Sequence, residues 1–574
     1  MRLPTVILAA TLAVSLTYSS PAPALSNPQA TLNYDDPVIQ RLRTDIKNAL
    51  SQRDCHGCIA GLFAFKALST LNRKLALLTL NEICPALLKT EKDVCLGLTE
   101  TQGPVILDSL EASNLAGGDA KALCYQLTGV CGPLPITSGT MEFPKSRPPD
   151  AVAPPASGNQ IDVLHLSDWH YDPLYVPGSE AVCKKPTCCR DYKTDGNSKS
   201  TTPIRAASSW GDYACDTPMK LAKSLLGHVQ EVAQPALAIL TGDIPPHDIW
   251  LADEATVVPI EKESYDTMAS ILNTTVYPTV GNHEAGPVNL ADDWEKWLPS
   301  EAIESVRDYG AYNTSPRKGF RIISLNTNFC YRNNYYLYEN WTTLYDPFHQ
   351  LKWLVNQLQA AEDAKERVWI IGHVGPSQID CIQNWSALYY QVVQRYSPHV
   401  IAEQFFGHTH RDDFALYYNS DQKTVKSAIA TAWIGPSVTP FRNLNPGYRI
   451  YKVDTGSWNI FDSETYVADL SKAAIWDATG ATPDWHFEYS ARKAYGAHVP
   501  LADHEPLSAS WWHNVTEAFE KNDDAFQQYW TYRGKSAKRI PECVKGSACP
   551  ANIVCDLRAG KSSDMCSSRG FVTN

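Results

Sequence analysis

The chain has 574 residues, of which 44% are hydrophobic and 20% charged, a balance that fits a folded multidomain protein and excludes a disordered one. The net charge of −12 argues against nucleic acid as a partner, because a phosphate backbone requires a basic face. Its short basic runs, Lys184-Lys185 and residues 535–539, read as local patches of solvated surface.

Residues 1–24 have the form of a signal peptide. Arg2 supplies the positive start, 6–16 are largely apolar, and Ala22-Pro23-Ala24 offers small residues for cleavage. The apolar run is shorter than the ~20 residues needed to span a bilayer, so the sequence predicts a secreted, soluble protein. Sixteen cysteines suit an oxidising compartment. They fall in even clusters, six over 55–131, four over 183–215, two at Cys330 and Cys381, and four over 543–566, so each cluster can close within itself. Five N-x-S/T sequons, at Asn273, Asn313, Asn340, Asn384 and Asn514, are candidate glycosylation sites.

Residues 35–140 read as helical, with Ile59, Leu62 and Phe63 and then Leu75, Leu77, Leu78 and Leu80 at helical spacing. The cysteine order, Cys55 and Cys58, then Cys84 and Cys95, then Cys124 and Cys131, resembles the saposin family of small helical modules that expose an apolar face to lipid. That resemblance implies bridges Cys55–Cys131, Cys58–Cys124 and Cys84–Cys95, and peripheral membrane contact through this domain. Residues 141–158 carry Pro144, Pro148, Pro149, Pro154 and Pro155 and predict a semi-rigid extended spacer.

Over 159–465 short apolar runs end in polar clusters, the pattern of buried strands. Residues 161–166 lead into Asp168 and His170, 237–240 into Asp243, and 276–280 into Asn282 and His283. Residues 368–371 lead into His373, and 401–406 into His408 and His410. Helical segments over 220–232 and 350–365 lie between them, so this domain predicts a mixed sheet flanked by helices. Residues 466–574 read as a helical, disulfide-bearing tail whose Trp511, Trp512, Phe519, Phe526, Tyr529 and Trp530 belong to a core.

Carboxylate, imidazole and amide groups gathered at five strand ends, with no cysteine among them, form an inventory of metal ligands. The order D-x-H, G-D, G-N-H-E, G-H, G-H-x-H resembles the calcineurin-like metallophosphoesterases. This resemblance implies a β-sandwich flanked by helices with two metals at the C-terminal ends of the strands. One metal would be held by Asp168, His170, Asp243 and His410, the other by Asp243, Asn282, His373 and His408. Two cations about 3.5–4 Å apart clamp a phosphate and lower the pKa of a bound water, and the bridging hydroxide attacks phosphorus in line. The leaving alkoxide needs a proton, for which His247 and His283 are the candidate general acids, oriented by Asp248 or Glu284.

A narrower resemblance, to the acid sphingomyelinase family, rests on the order of these regions and on the runs TGDIPPHDIW (241–250), GNHEAGPVN (281–289), FFGHTH (405–410) and NPGYRIY (445–451). It implies two zinc ions, hydrolysis of sphingomyelin to ceramide and phosphocholine, and an acidic lysosome-like or extracellular setting. It also implies the bridges Cys183–Cys188, Cys189–Cys215, Cys330–Cys381, Cys543–Cys549 and Cys555–Cys566. Trp169, Tyr171, Trp250 and Tyr448 are aromatic candidates for a quaternary ammonium head group. The competing readings are a phosphodiesterase for nucleotides or another phosphosphingolipid, and a non-catalytic lipid-binding or transfer protein.

Overall fold

A computed structural model describes residues 34–192, 202–341 and 343–566, so the expected signal peptide lies outside the described residues. The chain opens with helices Pro37–Ser51, Cys55–Leu71, Arg73–Leu88, Lys92–Thr101 and Gly103–Ala112. Asp36, Asp54 and Asn72 start the first three by accepting backbone N–H groups that have no partner within the helix. Ile46, Leu68, Leu75 and Leu107 are buried among these helices, and disulfides Cys55–Cys131, Cys58–Cys124 and Cys84–Cys95 tie them together. Phe63, Leu71 and Leu96 stay exposed.

The helix Lys92–Thr101 rests on the loop that follows Asp243. A Cβ on Gly97 would come within 2.2 Å of the Trp250 carbonyl oxygen, so only glycine permits this approach. Thr101 Oγ1 donates to the Ile249 carbonyl at 3.1 Å, and Lys185 Nζ pairs with Glu91 at 3.0 Å and with Asp93. Lys185 is therefore a buried clasp rather than solvated surface. The same correction holds for Lys535, which is fully buried with Nζ 2.6 Å from Ser437 Oγ. In each case specific oxygen partners offset the cost of taking an ammonium out of water.

The proline-rich spacer is fastened along helix Gln383–Tyr396. Met141 N–H donates to Gln391 Oε1 at 2.9 Å, and Arg147 Nη1 donates to the Gln394 carbonyl at 2.8 Å.

Among the described residues twelve strands form two six-stranded sheets. They are β1 (Gln160–Leu166), β2 (Leu237–Leu240), β3 (Val276–Pro278), β4 (Tyr312–Arg317), β5 (Phe320–Ser324) and β6 (Arg367–Ile371). Then follow β7 (Ile401–Phe406), β8 (Asp413–Tyr418), β9 (Ala428–Ile434), β10 (Gly447–Asp454), β11 (Ile460–Ala468) and β12 (Trp485–Ser490). The orders are β12-β11-β10-β1-β2-β3 and β4-β5-β6-β7-β9-β8. The sheets pack face to face through aromatic side chains. The Tyr451 ring lies 5.3 Å from Phe405 and 5.5 Å from Trp433, contacts worth roughly 0.5–1.5 kcal/mol each beyond their burial. Within the sheets β1, β2 and β3 run parallel, as do β5, β6 and β7, so the loops after them gather at shared ends.

Two expectations are corrected. The boundary at residue 465 falls inside β11, and the region expected to be helical supplies β12, which pairs with β11 through a bulge. Six residues with only Trp485, Tyr489 and Ser490 buried carry too little alternation to stand out from a helical neighbourhood. The sequon at Asn384 is buried, and its Oδ1 accepts the Thr137 N–H at 2.9 Å, which leaves no room for a glycan. Asn273 and Asn340 are exposed. The remaining disulfides join Cys183–Cys188, Cys189–Cys215, Cys330–Cys381, Cys543–Cys549 and Cys555–Cys566.

Candidate metal centre

The ligand-bearing loops begin with glycines that let backbones approach closely. A Cβ on Gly281 would meet Asp243 Oδ1 at 2.2 Å, and one on Gly407 would meet Ser167 Oγ at 2.1 Å. Five of the ligand candidates adopt left-handed backbone, Asp168 (φ 51°), His170 (φ 42°), Asp243 (φ 60°), His408 (φ 73°) and His410 (φ 63°). Such strain persists only where the surroundings enforce it. Here the loops brace one another: Asp168 N–H donates to the Gly242 carbonyl and His170 N–H to the Asp243 carbonyl, each at 3.0 Å.

The structure brings all seven expected ligands together. Asp243 lies at the centre, with Oδ2 at 3.0 Å from His373 Nε2 and 3.4 Å from His170 Nε2. His373 Nε2 is also 3.0 Å from Asn282 Oδ1, while His410 Nε2 lies 3.4 Å from Asp168 Oδ1. Donor atoms of His170, Asp243 and His283 fall within 4.8 Å of one another, as do those of Asp243, His373 and His408, and those of His170, His247 and His410. The residues fit a pair of cations on a structural ground. His170 Nε2 and His410 Nδ1 are buried nitrogens with no hydrogen-bond partner among the described residues, a cost the fold avoids elsewhere. A set of imidazole, carboxylate and amide donors suits divalent zinc.

Hydrogen bonds also fix ring orientations. His170 Nδ1 faces the Pro245 carbonyl at 2.7 Å, and His373 Nδ1 faces the Thr241 carbonyl at 2.6 Å, so each Nδ1 carries the proton and Nε2 is left as the donor. Burial alone would raise the Asp243 carboxyl, but the closeness of the His373, His283 and His170 rings holds it well below the usual carboxylate range.

His247 and His283 stand beside the ligands. The His247 ring stacks on His170 with centroids 3.8 Å apart, and His283 Nδ1 faces the Pro246 carbonyl at 3.2 Å. Burial, followed by the charge of His170, pushes His247 well down, and burial pushes His283 down to about 4.

The expected orienting partners do not touch these rings. Asp248 is engaged by Arg190, which also donates to Asp172 at 2.7 Å, and Glu284 Oε1 accepts the Ile244 N–H at 3.0 Å. His247 is held instead by Asp216, whose Oδ1 lies 2.7 Å from Nδ1. Asp380, 3.1 Å from His408 Nε2, was also missed. Both carboxylates are neighbours of bridged cysteines, Cys215 and Cys381, which is the one signal in the sequence that marks them.

Asp243, Asn282, His408 and His410 line a cleft of about 220 Å³ whose far wall comes from the C-terminal region through Trp530, Arg533, Ile540 and Pro541. Trp530 is half-buried against the core and also lines this cleft, whereas Trp511, Trp512, Phe519, Phe526 and Tyr529 are fully buried. Trp169, Tyr171, Trp250 and Tyr448 are buried too and lie outside the cleft lining, so none presents a face to a head group.

The model of the calcineurin-like phosphoesterase family matches residues 161–412. Sphingomyelin phosphodiesterase B of Dictyostelium discoideum is 34% identical over 508 residues, 83% of this chain and 76% of the relative. This chain belongs to the sphingomyelin phosphodiesterase family. The bovine and human sphingomyelin phosphodiesterases are 36% and 37% identical over 71% and 68% of this chain, and the matches span 66% and 62% of those relatives' length. Membership of a metallophosphoesterase family implies a dinuclear metal centre, and the clusters around Asp243 are the groups that could hold it. Among the described residues no helix is long and apolar enough to cross a membrane.

Proposed function

We propose that the chain is a two-zinc phosphodiesterase that hydrolyses sphingomyelin and related phosphosphingolipids, releasing ceramide and a phosphorylated head group. The observation that carries this reading is the convergence of two donor clusters on Asp243, with His247 and His283 packed against them at the cleft. Asp168, His170, Asp243 and His410 would hold one cation and Asp243, Asn282, His373 and His408 the other. Bound there, the pair supplies charge neutralisation at the phosphoryl oxygens and a water of lowered pKa.

The chain's own residues do the rest. Asp216 accepts the Nδ1 proton of His247, so Nε2 of that ring is the atom free to serve the cleft. A carboxylate behind the ring and a phosphodiester anion in front both favour the imidazolium, which gives its Nε2 proton to the departing ceramide oxygen. His283 faces the Pro246 carbonyl through Nδ1 and likewise has Nε2 available, suited to hydrogen-bonding the phosphate. Residues 35–140 form the saposin-like, membrane-contacting module, a role that its exposed Phe63, Leu71 and Leu96 support. Eight disulfides suit an extracellular or lysosome-like compartment reached through the signal peptide over 1–24.

The test is release of phosphocholine from sphingomyelin in anionic liposomes at about pH 5, with chelation and then zinc, beside a soluble nucleotide phosphodiester. Zinc-restored phosphocholine release is the expected result. Turnover of the nucleotide alone overturns the lipid reading and keeps the metal site, and turnover of neither favours a lipid-binding or transfer protein.

A further inference from the structure

The loop between β9 and β10, residues 435–446, carries no helix or strand and none of the motifs that mark the metal ligands. Its residues 437–441 nevertheless touch the ligands on one side and the Asp216–His247 pair on the other. Ser437 N–H donates to the His410 carbonyl at 3.3 Å, Val438 N–H to the Ser167 carbonyl at 3.0 Å, and Thr439 N–H to the Asp168 carbonyl at 3.0 Å. Thr439 Oγ1 donates to Asp216 Oδ1 at 3.3 Å, and the same oxygen lies 2.7 Å from His247 Nδ1. A carboxylate only accepts, which fixes the direction of the Thr439 hydroxyl. Phe441 then packs on the His247 ring with centroids 4.4 Å apart.

The loop is pinned from the C-terminal region. Lys535 is fully buried, and its Nζ donates to the Ser437 carbonyl at 2.9 Å and to Ser437 Oγ at 2.6 Å. Ser437 Oγ in turn donates to the Thr439 carbonyl at 2.6 Å. Lys535 is itself held in place, with its carbonyl accepting from Asn445 Nδ2 at 3.0 Å and its stem against the start of β10, where a Cβ on Gly447 would lie 3.1 Å from Cδ. Ser437, Thr439 and Asp216 are fully buried as well, so a continuous, water-free chain of contacts runs from Lys535 through Ser437, Thr439 and Asp216 to His247.

We infer that Lys535 and Thr439 are positioning residues for protonation of the leaving group. Lys535 fixes the loop through Ser437, and the Thr439 hydroxyl holds Asp216 Oδ1 in line with His247 Nδ1. Without that hydroxyl the Asp216 side chain is held by His247 alone among the described residues, so carboxylate and ring can swing together. The inference rests on the phosphodiesterase reading above, with His247 as the acid, and names the residues outside the motifs that keep the acid in place.

The experiment uses the zinc-loaded full chain. Its readout is the ratio of kcat on a short-acyl sphingomyelin in neutral detergent micelles to kcat on bis(4-nitrophenyl) phosphate, a soluble diester whose nitrophenolate departs without a proton. Thr439→Val is expected to lower that ratio at least about tenfold with bound zinc at the wild-type content, and Thr439→Ser, which keeps the hydroxyl, to restore it. Lys535→Met keeps the stem, removes the donors and should lower the ratio in the same way. Ser437→Ala breaks the same link with a smaller change in volume and tests it where the methionine variant does not fold. An equal loss on both substrates, with or without loss of zinc, overturns the inference, because the loop would then serve only Asp168 and His410. A wild-type ratio in Thr439→Val also overturns it. Wild-type turnover of bis(4-nitrophenyl) phosphate without cleavage of sphingomyelin overturns the underlying reading, and the inference with it.

Discussion

Asp216 grips His247 at two points, accepting the ring Nδ1–H at 2.7 Å through Oδ1 and the backbone N–H at 2.8 Å through Oδ2. One buried carboxylate therefore fixes both where the ring sits and which nitrogen faces the cleft. Asp216→Asn keeps the shape, but its amide can turn an N–H toward Nδ1 and reverse the tautomer. The expected outcome is a fall in kcat on sphingomyelin of about 100-fold with KM changed by less than about twofold. The limb of the kcat–pH profile that reports protonated His247 should shift with it. A purely structural role for Asp216 would instead lower the amount of folded protein and leave the profile of the remainder unchanged.

Asp243 is the donor common to two of the ligand clusters. Asp243→Asn should fold, as judged by circular dichroism, yet bind less zinc and lose activity by more than about 100-fold. Wild-type turnover in this variant would contradict a shared carboxylate between two ions.

Removal of metal should also destabilise the protein, because His170 Nε2 and His410 Nδ1 are then buried without partners. A site held at 100 times its dissociation constant contributes about 2.7 kcal/mol. Thermal melting before and after chelation is expected to show a drop of several degrees, reversed by zinc and not by magnesium, which this nitrogen-rich donor set suits poorly.

Stability should peak in mild acid. Burial pushes the Glu403 carboxyl up to about 7, while Trp433 Nε1 donates to it at 2.7 Å. The folded state keeps this proton between its ordinary value of 4.5 and about 7, where the unfolded state has lost it. The contribution is therefore complete below 4.5 and is lost as pH rises through about 7, an effect on the order of 3 kcal/mol. Glu362 has the opposite sign, since the hydrogen bond from Arg395 leads in lowering it to about 2, so its contribution disappears only as pH falls toward that value. Denaturant melts at about pH 5 and pH 7.5 should show the wild type more stable at the lower pH, and Glu403→Gln should flatten that difference.

The close contact at Gly97 offers a test of coupling between the helices and the cleft. Valine there would force the helix Lys92–Thr101 away from the Trp250 carbonyl. Turnover of liposomal lipid is expected to fall at least about tenfold more than turnover of bis(4-nitrophenyl) phosphate. Equal losses would mean that the contact serves only the loop carrying His247.

The ligands were legible in the sequence because their motifs are made by local constraints. Gly281 and Gly407 are needed so that neighbouring backbones and carboxylates can meet, and the apolar runs over 237–240 and 401–406 are strands buried on both faces. Asp216 and Asp380 had no such pattern, since each reaches its histidine through tertiary packing across 31 and 28 residues. The wall of the cleft was hidden for another reason. Trp530 shares its helix, Asp523–Arg533, with the buried Phe526 and Tyr529, and helical spacing alone does not say which residue at the edge of an apolar stripe faces a cavity. β12 was missed because its pairing partner, β11, decides its conformation more than its own six residues do.

The wall built from Trp530, Arg533, Ile540 and Pro541 closes a cleft whose first ligand, Asp168, lies more than 360 residues earlier in the chain. During synthesis the metal ligands therefore leave the ribosome long before the surface that completes their pocket. The sheet that carries Asp168 is itself completed only when β10 pairs with β1, and the far wall is the last part of the site to be made. Premature termination between 491 and 529 would leave every ligand and all twelve strands but no far wall to the cleft.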